Sequence, residues 1–146
     1  MAQVRKATAG WQGDLQSGSG EVSARSGVFT SLPTSWKWRT EAAENHTSPE
    51  ELLAAAHASC YSMAFSNELA KTGHPPEGVD VAVEVTADKR EQGWTVLSSA
   101  ITVHAHVHDI DEADFQAAAA RARDGCPISR ALAGNIEMTV QATLVR

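Results

Sequence analysis

Basic residues are scarce in this sequence: 12 lysines and arginines stand against 18 aspartates and glutamates, a formal net charge of −6. Nucleic-acid recognition needs a basic face, and an anionic membrane surface attracts polybasic segments, so neither partner is expected. Long apolar runs are missing as well. The N-terminal MAQVRKATAGWQGDLQ lacks the continuous apolar stretch of a signal peptide, and no run approaches the about 20 residues of a membrane span. There is no repeat, linker or low-complexity tract. Cysteine is reduced to two residues, Cys60 and Cys126. These absences lead to the expectation of a soluble, cytoplasmic protein, where a disulfide between the two cysteines would be transient and chemical rather than structural. A chain of 146 residues fits a single domain spanning 1–146. At that size about 70% of the unfolded surface is typically buried, so no covalent staple is needed.

What is present reads as an α+β chain. RKATAGWQG, the turn-rich QSGSG and EVSARSGVF predict a β-hairpin, with a third strand near WKWRTE. The polar stretch AAENHTSPEE, residues 42–51, leads into a helix. Ser48 at the N-cap, Pro49 at the first helical position and Glu51 form an S-x-x-E start signal. That helix should run to about Thr72, with Gly73 as its stop and Pro75-Pro76 barring continuation. Its first half is nearly all apolar, which predicts a central core helix. VDVAVEVTADK and WTVLSSAITVHAHVHDI alternate like strands, joined by a turn at EQG. DEADFQAAAARARDG, acidic first and basic last, predicts a second helix. Cys126-Pro127 opens a short third helix, and EMTVQATLV closes as a strand. Strands, long helix, strands, helices and a final strand indicate an α+β domain.

Chemistry concentrates in LLAAAHASCYSMAF, residues 52–65. Only a thiolate attacks electrophiles, so the surroundings of each cysteine decide its use. Cys60 sits deep in the long helix, where burial would raise its pKa and leave it a small core residue unless a cation lies close. Cys126, with Pro127 behind it, occupies an N-cap, where backbone N–H groups favour thiolate. By local rules Cys126 is the better nucleophile. His57 is at i−3 from Cys60 on the same helix face. A papain-like Cys–His hydrolase would need an exposed thiol at a helix start and an orienting third group, and the sequence shows neither.

HAHVH, residues 104–108, suggests two readings. His104, His106 and His108 share one face of a strand, at spacings a metal ion could bridge. Equally, Ile101, Val103, Ala105 and Val107 form the opposite, core-facing set, and three histidines on a wet face satisfy that pattern with no metal. No carboxylate or cysteine ligand is clearly placed beside them.

TSPEELLAAAHASCYSMAFS, Arg39 placed 21 positions before Cys60, and the later GCPIS resemble the OsmC/Ohr family of organic hydroperoxide reductases. The likeness runs from GWQGDLQSGSG to the closing strand. AAHASC is similar to the OsmC branch; the Ohr branch usually carries a tyrosine where His57 stands. The resemblance implies an OsmC-like fold of antiparallel strands packed around a long central helix in an intertwined homodimer, with no cofactor. It implies that Cys60 is the peroxidatic thiol and Cys126 the resolving one, reversing the local ranking. Arg39 would hold the Cys60 thiolate and orient the peroxide, with Glu50 steering that arginine; an opposite charge in reach moves a pKa by about 1–3 units. An organic hydroperoxide would be the substrate, reduced through a Cys60 sulfenic acid and a Cys60–Cys126 disulfide. An external dithiol, such as that of a lipoylated protein, would reset the enzyme. Trp36 and Trp38, on one face of the third strand, are candidate walls of an apolar pocket or simple packing residues.

Glu50 and Cys60 are ten residues apart, about 15 Å along one continuous helix, so one subunit cannot bring them to one site. Two such helices antiparallel about a two-fold would, which predicts a homodimer with active sites at the interface. Two rival expectations stand beside the peroxidase: a non-catalytic dimer binding an apolar ligand, and metal binding through His104, His106 and His108.

Overall fold

The computed structural model describes residues 1–41 and 45–146. The first three residues of the polar stretch, 42–44, lie outside the described residues. Two compact units emerge, Met1–Leu52 and Leu53–Arg146.

In the first unit, β1 (Ala7–Gln12), β2 (Ser19–Ala24) and β3 (Leu32–Thr34) form an antiparallel sheet in that order. The expected hairpin is present. Asp14 fixes its turn, its carboxylate accepting from the N–H groups of Gln16 at 2.9 Å and Ser17 at 2.8 Å. Gly20 pairs with Trp11 across the hairpin, and a Cβ there would lie 2.7 Å from the indole, so the ring lies over bare backbone. The expected strand at WKWRTE is instead a helix, α1 (Trp36–Thr40), and the third strand falls earlier, at Leu-Pro-Thr. W-K-W-R imitates a period of two, but Ser35 decides: its side chain accepts from the Trp38 N–H at 3.1 Å and starts a helical turn. Trp36 and Trp38 therefore do not share a strand face. The first turn of α2 (Pro49–Lys71) also belongs here, capped as expected by Ser48, whose hydroxyl accepts from the Glu51 N–H at 3.1 Å.

In the second unit, β4 (Gly78–Arg90), β5 (Gly93–His106) and β6 (Glu137–Val145) form a sheet in that order. β4 and β5 make the expected antiparallel hairpin, with one irregularity at Thr86/Ala87. β6 departs from an all-antiparallel sheet by pairing parallel to β5. The connection permits this: α3 (Glu112–Gly125) and α4 (Pro127–Leu132) return the chain to the starting end, as parallel strands require. Asp111 caps α3 by accepting from the Asp114 N–H at 2.8 Å. Gly73, at φ +85°, ends α2 in the left-handed conformation, with the His74 N–H returning to the Leu69 carbonyl at 3.1 Å.

The core joins Tyr61, Phe65 and Leu69 of α2 to Ile101, Val103 and Ala105 of β5 and to Phe115, Ala118, Ala119 and Ala122 of α3. Phe65 and Phe115 meet edge to face at 5.4 Å. The long helix is less enclosed than its composition predicts. From His57 onward a narrow stripe, His57, Tyr61, Phe65 and Leu69, is buried, while Ala55, Ala56, Ser59 and Met63 are exposed. Apolar content measures what a helix can bury, and here only one row of positions is covered by this chain. No helix of the described residues is long and apolar enough to cross a membrane.

Candidate active site

Cys126 stands at the junction of α3 and α4. Its N–H donates to the Ala122 carbonyl at 2.8 Å and its own carbonyl accepts from the Arg130 N–H at 2.9 Å, so it closes one helix and opens the next. Pro127 forces that break, because it can begin a helix but not continue one. The side chain is turned inward and fully buried. On α2, Cys60 lies one residue off the buried stripe and is half-buried. The two sulfurs are 3.0 Å apart, both as free thiols.

The pair divides its charge unequally. Burial pushes the Cys60 thiol up, and the adjoining Cys126 sulfur pushes it further, against smaller pulls from the Ile128 amide and Arg130. Burial opposes ionisation of Cys126 as well, yet its thiol ends below the ordinary value. The Cys60 contact, the Ser129 amide and hydroxyl, and the Ile128 amide together outweigh the burial. None of these is a tight cap, since the Cys126 side chain makes no capping hydrogen bond of ordinary geometry. Within this chain the surroundings therefore favour ionisation of Cys126 over Cys60. Beside Cys60 a cleft of about 400 Å³ opens, lined by Met63, Ala64, Lys71, Arg121 and Pro127 among others. Lys71 and Arg121 both bind the Glu68 carboxylate there, at 2.7 and 3.1 Å.

His57 does not serve Cys60. Its Nδ1 lies 2.7 Å from Ser99 Oγ and its Nε2 2.7 Å from Ser129 Oγ, which commits both ring nitrogens. Burial lowers its pKa, so the ring is held neutral. A Cys–His hydrolase pair is thus not formed. Tyr61, one residue after Cys60, donates its hydroxyl to the Ala119 carbonyl at 3.0 Å and is held well above the ordinary phenol range, chiefly by burial.

In the first unit Arg39 and Glu50 are joined. Arg39 Nε donates to Oε1 at 2.9 Å and Oε2 at 3.2 Å, and its Nη2 to Oε1 at 2.7 Å, a forked contact. The Arg39 guanidinium also lies 5.8 Å from the Trp36 ring centroid. Beside them is a cleft of about 490 Å³ lined by Ala9, Trp11, Leu15, Val22, Trp36 and Leu52, with Arg39 the one charged residue among the described lining. Of the two tryptophans expected as pocket walls, Trp36 lines this cleft. Trp38 instead stacks on His46, with ring centroids 3.4 Å apart.

The histidine run ends outside this chemistry. His104 and His106 are exposed on β5, alternating with buried Ile101, Val103 and Ala105, as the core-and-surface reading expects. His108 lies beyond the end of the strand and contacts the Glu77 carboxylate at 3.0 Å. Among the described residues no three His, Cys, Asp or Glu side chains group closely enough to hold a metal ion.

Two site residues were not singled out from sequence, Ser99 and Ser129. Each carried a signal: Ser99 continues the inward parity of Ile101 and Val103, and Ser129 follows Cys126 by three residues in the first turn of α4.

Residues 42–141 match the family model of OsmC-like proteins. The chain is 37% identical over 141 residues to a protein of Escherichia coli named peroxiredoxin OsmC, covering 97% of this chain and 98% of that one. It is 31% identical over 109 residues to the organic hydroperoxide resistance protein OhrA of Bacillus subtilis, covering 70% and 72%. A solved organic hydroperoxide resistance protein from Elizabethkingia anophelis has the same fold, at a TM-score of 0.75 and 22% identity, covering 99% of this chain and 100% of that one. With the family model matched across the long helix, the paired cysteines and most of the second sheet, this chain belongs to the family of OsmC-like proteins.

Proposed function

We propose that this protein is a thiol-dependent peroxidase that reduces organic hydroperoxides to alcohols, with the whole chain acting as one functional domain in cytoplasmic defence against oxidative and osmotic stress. The observation that carries the reading is the 3.0 Å approach of two free thiols, Cys60 and Cys126. The names of the Escherichia coli and Bacillus subtilis relatives support it.

Cys60, beside its cleft, is the attacking thiol. Its thiolate takes the outer oxygen of the peroxide, the O–O bond breaks, and the alkoxide leaves as alcohol after gaining a proton. Cys60 becomes a sulfenic acid. Cys126 then attacks that sulfur: the S–S bond forms, the S–O bond breaks, and the departing hydroxide takes up the thiol proton as water. A dithiol, such as that of a lipoylated protein, returns two electrons by exchange. The apolar cleft beside Arg39 suits the alkyl group of an organic peroxide better than hydrogen peroxide.

Arg39 and Glu50 complete this site across a homodimer interface, one protomer supplying them to the cysteines of its partner. Two features support that arrangement. α2 is unbroken from Pro49 to Lys71, so Glu50 and Cys60 stay ten residues apart on one helix. Among the described residues of Met1–Leu52 only Glu50 is buried, and β1 is exposed along its whole length. A segment that fully buries no apolar side chain draws little on the main stabilising term of folding, and a partner subunit would supply more. The guanidinium arriving at Cys60 would offset the burial that raises its thiol.

The test is intact mass and free-thiol count before and after one equivalent of cumene hydroperoxide, with hydrogen peroxide in parallel. Rapid loss of both thiols, an internal Cys60–Cys126 disulfide, and abolition in Cys60→Ser are expected, with the organic peroxide faster. Two surviving thiols would overturn the reading in favour of a dimer that binds an apolar ligand in the cleft beside Arg39.

A further inference from the structure

The second unit encloses an imidazole, that of His57. It is fully buried, and so are its two partners, Ser99 from β5 and Ser129 from α4, at 2.7 Å each. An apolar side chain could fill the same space without desolvating a ring and two hydroxyls, so this arrangement asks for a use. Its free end shows one. Ser129 is in the first turn of α4, three residues after the N-cap Cys126, the position an N-cap side chain faces, and its hydroxyl and amide favour the Cys126 thiolate.

We propose that Ser99, His57 and Ser129 form a fixed hydrogen-bond chain that aims the Ser129 hydroxyl at Cys126 Sγ, making His57 a positioning residue for the resolving thiol rather than a partner of Cys60. The roles of Cys60 and Cys126 rest on the peroxidase reading; the chain itself does not. The direction of each bond follows from its end. A Ser129 hydroxyl that donates to the Cys126 thiolate must accept from His57, so the proton is on Nε2. Nδ1 is then bare and accepts from the Ser99 hydroxyl.

A serine hydroxyl in a first helical turn is a free rotor that can turn to a backbone carbonyl instead. His57 removes that choice. Apart from the Cys60 thiol itself, the other groups acting on Cys126 have no such freedom: the Ile128 and Ser129 amides are fixed by α4, and Tyr61, whose hydroxyl is committed to Ala119, stays neutral. The charges nearby are Arg123, which acts on Tyr61, and Arg130, which acts on Cys60. When Cys126 attacks the Cys60 sulfenic acid, its thiol proton ends on the departing hydroxide as water. The imidazole stays neutral throughout and holds geometry without carrying charge.

The experiment uses full-length reduced protein carrying Cys60→Ser, so that Cys126 is the one thiol, and follows thiolate absorbance against pH. Adding Ser129→Ala or His57→Leu should move the midpoint up by about one pH unit, roughly a tenfold loss of thiolate at neutral pH, the worth of one hydrogen bond to a charged group. His57→Gln, whose amide can still donate to Ser129, should stay near the parent. Near-ultraviolet circular dichroism confirms that each variant is folded. An unmoved midpoint in folded Ser129→Ala overturns the proposal. Equal shifts in His57→Leu and His57→Gln overturn it too, by showing a packing role only. None of these readouts involves a peroxide, so failure of the peroxidase reading would be seen separately. In protein that retains Cys60, the same Ser129→Ala change should prolong the dimedone-reactive sulfenic acid.

Discussion

Cys60 Sγ, from the middle of α2, and Cys126 Sγ, at the junction of α3 and α4 that Pro127 enforces, lie 3.0 Å apart. A disulfide bond is about 2.05 Å long, so closing it asks for roughly 1 Å of approach and no unfolding. The first step needs only Cys60. Cys126→Ser should therefore react with one equivalent of cumene hydroperoxide and stop at the sulfenic acid. Mass spectrometry after dimedone trapping should show one adduct per chain, against none in Cys60→Ser. A Cys126→Ser protein that yields no adduct would remove Cys60 from the first step.

Arg39 binds Glu50 through a fork, and Glu50 is the better buried of the two, at 11% side-chain exposure against 31%. Arg39→Met leaves that carboxylate without its guanidinium. The pair is neither fully exposed nor fully buried, so the loss of unfolding free energy should be about 1–2 kcal/mol, between the ranges for the two cases. Arg39→Lys keeps the charge but not the fork, and should recover stability only in part. Urea unfolding of the three proteins measures this. Equal stability of all three would show that the contact contributes nothing to the fold.

His57 gives the fold a defined acid limit. Its pKa is lowered by burial from 6.5, so below that pH the unfolded chain takes up a proton that the folded chain refuses. Stability is then fully present above pH 6.5 and declines as pH falls towards the folded-state value. His108 acts in the opposite sense, because contact with Glu77 raises its pKa, so the comparison must be between variants rather than between pH values alone. His57→Gln should lose the acid slope in this window while the wild type keeps it. Urea midpoints from pH 7.5 down to about 5 give the two slopes, in a range that carboxylates scarcely enter. Parallel slopes would mean that His57 is protonated in the folded state.

The long helix and the elements that follow it were legible because each was written twice, in periodicity and in punctuation: Ser48 and Gly73 bound α2, Asp111 heads α3, and Cys126-Pro127 separates α3 from α4. At Trp36–Thr40 the two signals conflicted. Alternation over four residues suggested a strand, and a single serine cap overrode it. The ranking of the cysteines shows another limit. Local rules could see the Ser129 and Ile128 amides that lower the Cys126 thiol, because they are neighbours in sequence, but not the Cys60 contact, which lowers it more and comes from 66 residues away. The His57 contacts were not legible at all, since Ser99 and Ser129 are 42 and 72 residues away from it. Which strand faces which helix is decided by the sheet as a whole. The enclosure of α2 was overestimated for a related reason: composition cannot say how much of an apolar face the chain itself will cover.

The exposed first unit makes the dimer testable through activity rather than size alone. If each site takes Arg39 and Glu50 from one protomer and Cys60 and Cys126 from the other, Arg39→Met and Cys60→Ser damage different halves of the same site. Each variant alone should be inactive. In a hybrid dimer one site carries both lesions and the other carries neither. Unfolding and refolding an equal mixture makes about half the dimers hybrid, and each hybrid has one intact site of two, so about a quarter of wild-type turnover should return. If both halves came from the same chain, every site in the mixture would hold a lesion and nothing would return. Recovery near a quarter, with a dimer mass by sedimentation, establishes sites shared across the interface. No recovery from a well-mixed dimer, or full turnover from a monomer, would show that a single chain completes its own site.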